Sequence, residues 1–374
     1  MTSTKITSAE WPERAAALAA TLTESGDLCD PAWAAAVAAI PRHLLVPIAY
    51  QQQADGTWTQ IDTAELAYTP TTLVTELDQR GHAISSSTKP DLMVRMLETL
   101  DVRDGHTVLE IGTGTGYNAA LLTHRLGPAN VYSIDVDAEL VELARQRLAS
   151  IGYHPHLSTR DGIDGWPDHA PYHRIIATCS VPRIPWSWAD QLAAGGLVLA
   201  DLKLNTGAGN LVLLRRHADR LEGRFTARCA AFMQMRHHDS TPPAARAHRA
   251  DASRSATTTA PAQLWNTCRE VWLLASLHLP AGLETGYILD PDTHAPRATS
   301  LSAPDGSWCE IELTSDNTGH RNVREGGPTR LWTAVEHAHD TWTQAGQPTW
   351  QRFGLTVTAD HQAVWLDDPD NVIT

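Results

Sequence analysis

Residues 108–117 read Val-Leu-Glu-Ile-Gly-Thr-Gly-Thr-Gly-Tyr, and this stretch decides the fold. A short apolar strand runs into three closely spaced glycines, Gly112, Gly114 and Gly116, and a helix starts at Tyr117. Such a turn lets backbone approach a ligand without Cβ atoms in the way and aims the helix N–H groups at it. A dinucleotide-binding turn places its last glycine three residues after the second, which here is Tyr117. The chain instead alternates its glycines and carries an acid, Glu110, two residues before the first.

Outward from the turn the chain alternates strand and helix. Strands are predicted at 107–111, 131–134, 174–178, 197–202 and 210–215. A helix carrying Leu140, Val141, Ala144 and Leu148 is capped by Asp137 and stopped at Gly152. Upstream, Pro90 and Asp91 open a helix with Leu92, Met93, Met96, Leu97 and Leu100 on one face. The pattern predicts an α/β, Rossmann-like, mainly parallel doubly wound sheet. Residues 11–40 are Ala-rich with helical spacing and end at Pro41; residues 46–84 mix loops and short strands.

Two further acids frame a ligand. Asp135 ends the second strand, 23 residues after Gly112, where a carboxylate can accept both ribose hydroxyls of an adenosine. It could also merely begin the next helix, although Asp137 is better placed for that. Asp161, followed by Gly162, would end the third strand and could accept from an adenine amine; the pair is equally an ordinary turn.

Composition narrows the partners. The chain holds 29 Lys and Arg against 43 Asp and Glu, a formal net charge of -14, which repels nucleic acid and anionic lipid. No apolar run approaches the roughly 20 residues that span a bilayer, and no secretory signal opens the chain, so a cytoplasmic enzyme is expected. Five scattered cysteines form no Cys-x-x-Cys pair, and the histidines do not cluster with carboxylates or thiols at ligand spacing; no metal site is predicted.

Four separated blocks resemble the protein-L-isoaspartate O-methyltransferase family, in the family's order. They are residues 40–47 (IPRHLLVP), the glycine turn, residues 161–182 (DGIDGWPDHAPYHRIIATCSVP) and residues 191–199 (QLAAGGLVL). The resemblance covers roughly residues 35–235. It implies a class I methyltransferase fold, S-adenosyl-L-methionine as cofactor and a carboxyl oxygen as methyl acceptor. The cofactor residues it implies are Glu110, Gly112, Thr113, Gly114, Gly116, Asp135, Val136, Asp161 and Gly162. The family's Ser-x-Pro element, whose serine lies near the substrate carboxyl, reads here Ser86, Ser87, Thr88, Lys89, Pro90, with Thr88 at the serine position. Thr88, Ser87 and Ser86 are therefore the candidate catalytic residues. The added methyl of threonine restricts χ1 and can shift substrate preference; the same run would also cap the following helix. Lys89, Arg95, Arg42 and His43 could make the local field positive for an acidic substrate.

The chain is longer than the repair enzymes. Residues 1–84 are expected to form a helical, substrate-proximal region and 85–236 the cofactor-binding core. Residues 237–262, rich in Pro, Ala, Ser and Thr, are expected to be a flexible linker, and 263–374 a smaller α+β domain. That last part holds seven tryptophans (Trp265, Trp272, Trp308, Trp332, Trp342, Trp350, Trp365), a helix near 329–344 and a hairpin of 355–358 with 363–366. Residues 352–369 (RFGLTVTADHQAVWLDDP) resemble the tail of an actinobacterial subgroup acting on ribosomally made peptides: lanthipeptides, graspetides and lasso peptides. This implies a constrained precursor peptide as partner, methylation of an L-aspartate and closure of the ester to an aspartimide. Isoaspartyl repair and a noncatalytic peptide-binding module are the competing readings.

Overall fold

A computed structural model describes residues 10–204, 206–237, 247–248 and 253–373. Among them the strands form three sheets. The largest has nine strands in the spatial order 362–366, 353–357, 221–225, 209–216, 192–203, 172–181, 108–111, 131–135 and 156–159. The five strands from 192–203 to 156–159 run parallel, as the alternation of strand and helix predicts.

Strand alternation divides the core. Val108, Ile176, Leu197 and Leu199 face the helices Trp11–Glu24, Pro31–Ala39, Pro90–Thr99, Tyr117–Leu126 and Ala138–Ser150. Their neighbours Leu109, Ile111, Ile175, Ala177, Val198 and Ala200 face the opposite side, which Arg269–Ser276 and Leu331–Gln344 cover.

The strand Gly209–Arg216 departs from the parallel expectation. It runs antiparallel to Leu192–Lys203, because the turn joining them is far too short for a crossover. Beyond it, Leu221–Phe225 would be an exposed edge, and the C-terminal hairpin supplies its partner. Phe353–Val357 pairs with Leu221–Phe225, and Gln362–Leu366 pairs with Phe353–Val357. The hairpin forms as expected from its sequence, but it completes the central sheet instead of closing a sheet of its own.

The linker expected over 237–262 needs correction at its end. Ser253–Thr258 forms a strand that pairs antiparallel with Arg321–Gly326 and edges a five-stranded sheet. A polar edge strand needs only one buried face, and Thr258 supplies a buried side chain bonded to Glu336. Residues 238–246 and 249–252 of that stretch, like residues 1–9, lie outside the described residues. Trp332 is core, 2 % exposed, on the helix Leu331–Gln344.

The third sheet, ordered 58–62, 48–52, 73–77 and 83–87, stands over the glycine turn. Its last strand, Ala83–Ser87, carries the candidate acceptor-side residues into the helix Pro90–Thr99. No helix among the described residues is long and apolar enough to cross a membrane.

Candidate active site

The cavity of about 330 Å³ lies at the carboxyl ends of strands 108–111, 131–135 and 172–181, beside the point between 108–111 and 172–181 where the strand order reverses. The glycine turn forms its floor. Gly112 has φ +100°, and a Cβ there would stand 2.8 Å from Thr178 Oγ1; the Thr178 hydroxyl donates to the Gly112 carbonyl at 2.8 Å. Gly116, at φ +84°, caps the ten-residue helix Tyr117–Leu126, and a Cβ would press on Leu148 at 3.2 Å.

Glu110 and Asp135 reach the same cavity. Glu110 is 1 % exposed; Asn118 donates to it at 2.8 Å and Ser133 at 2.6 Å, and the Thr113 hydroxyl lies 2.7 Å from that of Ser133. Burial pushes the Glu110 carboxyl up to about 7, against the lowering effect of its two donors. Asp135 accepts from the Gly114 amide at 3.0 Å and the Asp137 amide at 3.2 Å, and burial raises its pKa too. Val136 and Gly162 also line the cavity.

Asp161 is placed differently from the strand-end expectation. The third strand closes at Thr159, and Asp161 sits in the following turn, accepting from the Ile163 amide at 3.0 Å and lying 3.0 Å from His237 Nδ1. Gly162, not Asp161, lines the cavity. A Cβ at Gly162 would collide with Ile111 Cγ2 at 2.6 Å and Met235 Sδ at 2.7 Å, so a bare backbone is required there.

On the acceptor side Ser85, Ser86, Ser87 and Thr88 all line the cavity. An ideal Cβ on Gly114 would lie 3.7 Å from Ser85 Oγ, so the serine strand stands directly against the glycine turn. Ser85 pairs with the Thr75 hydroxyl at 3.2 Å and Ser87 accepts from the Arg42 guanidinium at 3.0 Å. Thr88 is half-buried.

Sequence reasoning missed one wall. Residues 231–236 cross the cavity mouth, tied to the sheet where Ser180 donates to Met233 and accepts from Met235, each at 2.8 Å. The Phe232 amide bonds to Asp201, its carbonyl accepts from Lys203, and Arg236 lies 3.5 Å from Asp137. The signal was the run Phe-Met-Gln-Met just before the polar stretch, with Met233 and Met235 at strand spacing.

The arrangement fits an adenosyl sulfonium: glycine backbone for close approach, two carboxylates, and the buried Asn118 Oδ1, which has no partner among the described residues. Fold and site together define a Rossmann-like, S-adenosyl-L-methionine-dependent methyltransferase. The family profile described as protein-L-isoaspartate(D-aspartate) O-methyltransferase matches residues 13–234, and the chain belongs to that family. It is thus a carboxyl O-methyltransferase. The chain is 34 % identical over 183 residues to a protein-L-isoaspartate O-methyltransferase of Gloeobacter violaceus, covering 49 % of this chain and 79 % of that one. It is 35 % identical over 191 residues to protein-L-isoaspartate O-methyltransferase 2 of Pelobacter propionicus, covering 51 % and 76 %. A solved protein-L-isoaspartate O-methyltransferase superposes with a TM-score of 0.55 at 19 % identity, over 94 % of this chain and 99 % of that one, a likeness of fold.

Proposed function

We propose that the enzyme methylates the side-chain carboxylate of an L-aspartate in a constrained, ribosomally made peptide in the cytoplasm, and that the ester then closes to an aspartimide. The observation that carries this reading is the hairpin within residues 352–369. The stretch that resembles the peptide-modifying subgroup forms two strands of the central sheet, so tail and methyl-transfer core fold as one unit.

S-adenosyl-L-methionine supplies an electrophilic methyl group; the chain's residues bind and orient. Glu110, Asp135 and the glycine backbone hold the cofactor side, with Asp161 and Gly162 at the adenine end, while Thr88 and Ser86 orient an acceptor oxygen. An aspartate with a pKa near 4 is already an anion at neutral pH, so no strong base is needed. Holding it at near-attack distance supplies on the order of 7–11 kcal/mol of effective concentration. The product ester has a better leaving group than the carboxylate, and the following backbone nitrogen can expel methanol without further help.

Isoaspartyl repair is the second reading. It is favoured by the solved isoaspartate methyltransferase that extends over almost the full length of this chain, which removes chain length as an argument against repair. Mass spectrometry of a side-chain-cyclised aspartyl peptide incubated with enzyme and cofactor separates the two. The expected product is one methylene heavier, then one water lighter than the starting peptide. An unchanged cyclised peptide beside rapid esterification of a linear isoaspartyl peptide would establish repair.

A further inference from the structure

The cavity holds two acids, Glu110 and Asp135, whose ionised forms favour a sulfonium but repel an arriving carboxylate. Something must reverse the field at the acceptor end, and most nearby cations are already neutralised. Lys89 pairs with Asp91 at 2.8 Å, Arg95 lies 3.5 Å from Asp27, and Arg236 lies 3.5 Å from Asp137 on the cofactor side. His43 lies 2.6 Å from the Tyr68 hydroxyl, and burial lowers its pKa, which keeps it neutral.

Arg42 differs from all of these. It is 1 % exposed, and among the described residues no carboxylate lies within ion-pair distance of it. Its guanidinium donates to the carbonyls of Ala67 at 3.0 Å, Thr69 at 3.4 Å and Thr71 at 3.4 Å, to Ser87 Oγ at 3.0 Å and to the Thr88 carbonyl at 3.2 Å. It also lies 5.0 Å from the ring centroid of Tyr117, the first residue of the helix after the glycine turn. One cation thus joins the turn that leads into Thr72 and Val74, the acceptor strand, and the cofactor helix. A buried charge without a counter-charge is costly, and here it stands directly behind two residues of the cavity wall, Ser87 and Thr88.

We infer that Arg42 is the positioning residue of the acceptor side: it fixes Ser87 and Thr88 and keeps that end of the cavity positive for the incoming carboxylate. The inference rests on carboxyl methylation and not on which peptide is methylated.

The test compares dissociation constants for S-adenosyl-L-methionine, whose sulfur is cationic, and S-adenosylhomocysteine, whose sulfur is neutral, by calorimetry. A cation behind Thr88 penalises only the first. Arg42→Met should therefore tighten the sulfonium ligand relative to the thioether by roughly threefold to fivefold. Arg42→Gln, whose amide retains donors and which serves if the Met variant does not fold, should do the same. Arg42→Lys keeps the charge and should keep the wild-type ratio. A purely structural role moves both ligands together, so an unchanged ratio in the Met and Gln variants overturns the inference, as does a Lys variant that shifts as far as Met. In turnover with a linear isoaspartyl or a cyclised aspartyl peptide, whichever the wild type esterifies, Arg42→Gln should raise KM by roughly tenfold. An unchanged KM would remove the acceptor role. A wild type that esterifies neither peptide overturns the substrate assignment and leaves the ligand ratio to decide on Arg42.

Discussion

The Gly114 amide donates to the Asp135 carboxylate at 3.0 Å, so the tip of the glycine turn is fastened to the end of the neighbouring strand. The acid shapes the turn, and in the proposed function it also presents its remaining lone pairs to the ribose. Asp135→Ala removes charge-assisted bonds of about 1.5–3 kcal/mol each. Calorimetry should show S-adenosyl-L-methionine affinity reduced by about tenfold or more. Unaltered affinity would place the ribose elsewhere.

Gly112→Ala should abolish cofactor binding more completely. The backbone is in a left-handed conformation, and the new methyl would lie 2.8 Å from Thr178 Oγ1, which is itself bonded to the Gly112 carbonyl. Equilibrium dialysis should detect no saturable binding in a folded variant; retained binding would mean that the turn can relax.

In the proposed function Thr88 orients the acceptor and takes no part in holding the cofactor. Thr88→Ala should slow turnover by roughly tenfold, the effect of one lost hydrogen bond to an anion, with S-adenosylhomocysteine affinity unchanged. Thr88→Ser, which restores the hydroxyl, should recover most of the rate. Full activity in the alanine variant would move the role to Ser86, which lines the same wall.

Much of this site is written locally. Strand, glycine turn and helix follow one another between Val108 and Leu126, so spacing alone locates Glu110 and the glycines, and the end of the next short strand locates Asp135. What was not legible depends on contacts between distant segments. Arg42 and Ser87 are 45 residues apart, and no pattern within either stretch reveals that a guanidinium meets that hydroxyl. The hairpin of 353–366 was legible as a hairpin, but not its partner Leu221–Phe225, because pairing between separated strands leaves no local periodicity. Asp161 shows a smaller displacement: an Asp-Gly after a strand reads equally as a binding site and as a turn, and the structure puts Asp161 in the turn beyond the strand end, with the backbone of the adjacent Gly162 at the cavity.

That pairing changes what a truncation experiment means. Removing residues 352–374 would expose the edge of Leu221–Phe225 and strip away the buried Phe353, Leu355, Val357, Val364 and Trp365. At about 1.5–3 kcal/mol for each buried side chain, the loss exceeds about 5 kcal/mol. The expected outcome is a melting temperature lowered by more than about 6 °C, or aggregation, followed by scanning calorimetry. Loss of activity on truncation therefore cannot separate peptide modification from repair. An unchanged melting temperature would show that the hairpin is not part of the core sheet.

Glu110 makes stability depend on pH in a direction opposite to an ordinary ion-paired acid. Its carboxyl is raised from 4.5 to about 7 by burial, so the folded protein holds a proton that the unfolded chain has released. Its contribution to stability is then fully present below pH 4.5 and is lost as pH rises through about 7. Glu110→Gln has no proton to lose and can keep a carbonyl toward one of the two donors, Asn118 and Ser133. Urea denaturation of the cofactor-free proteins at pH 5 and pH 8 should show wild type losing on the order of 3 kcal/mol relative to the variant across that interval. Asp135 and Asp201 are raised in the same direction, but both proteins contain them, so to a first approximation they cancel in the difference. Parallel pH profiles would mean that the Glu110 carboxylate is ionised in the folded state, with Asn118 and Ser133 offsetting its burial.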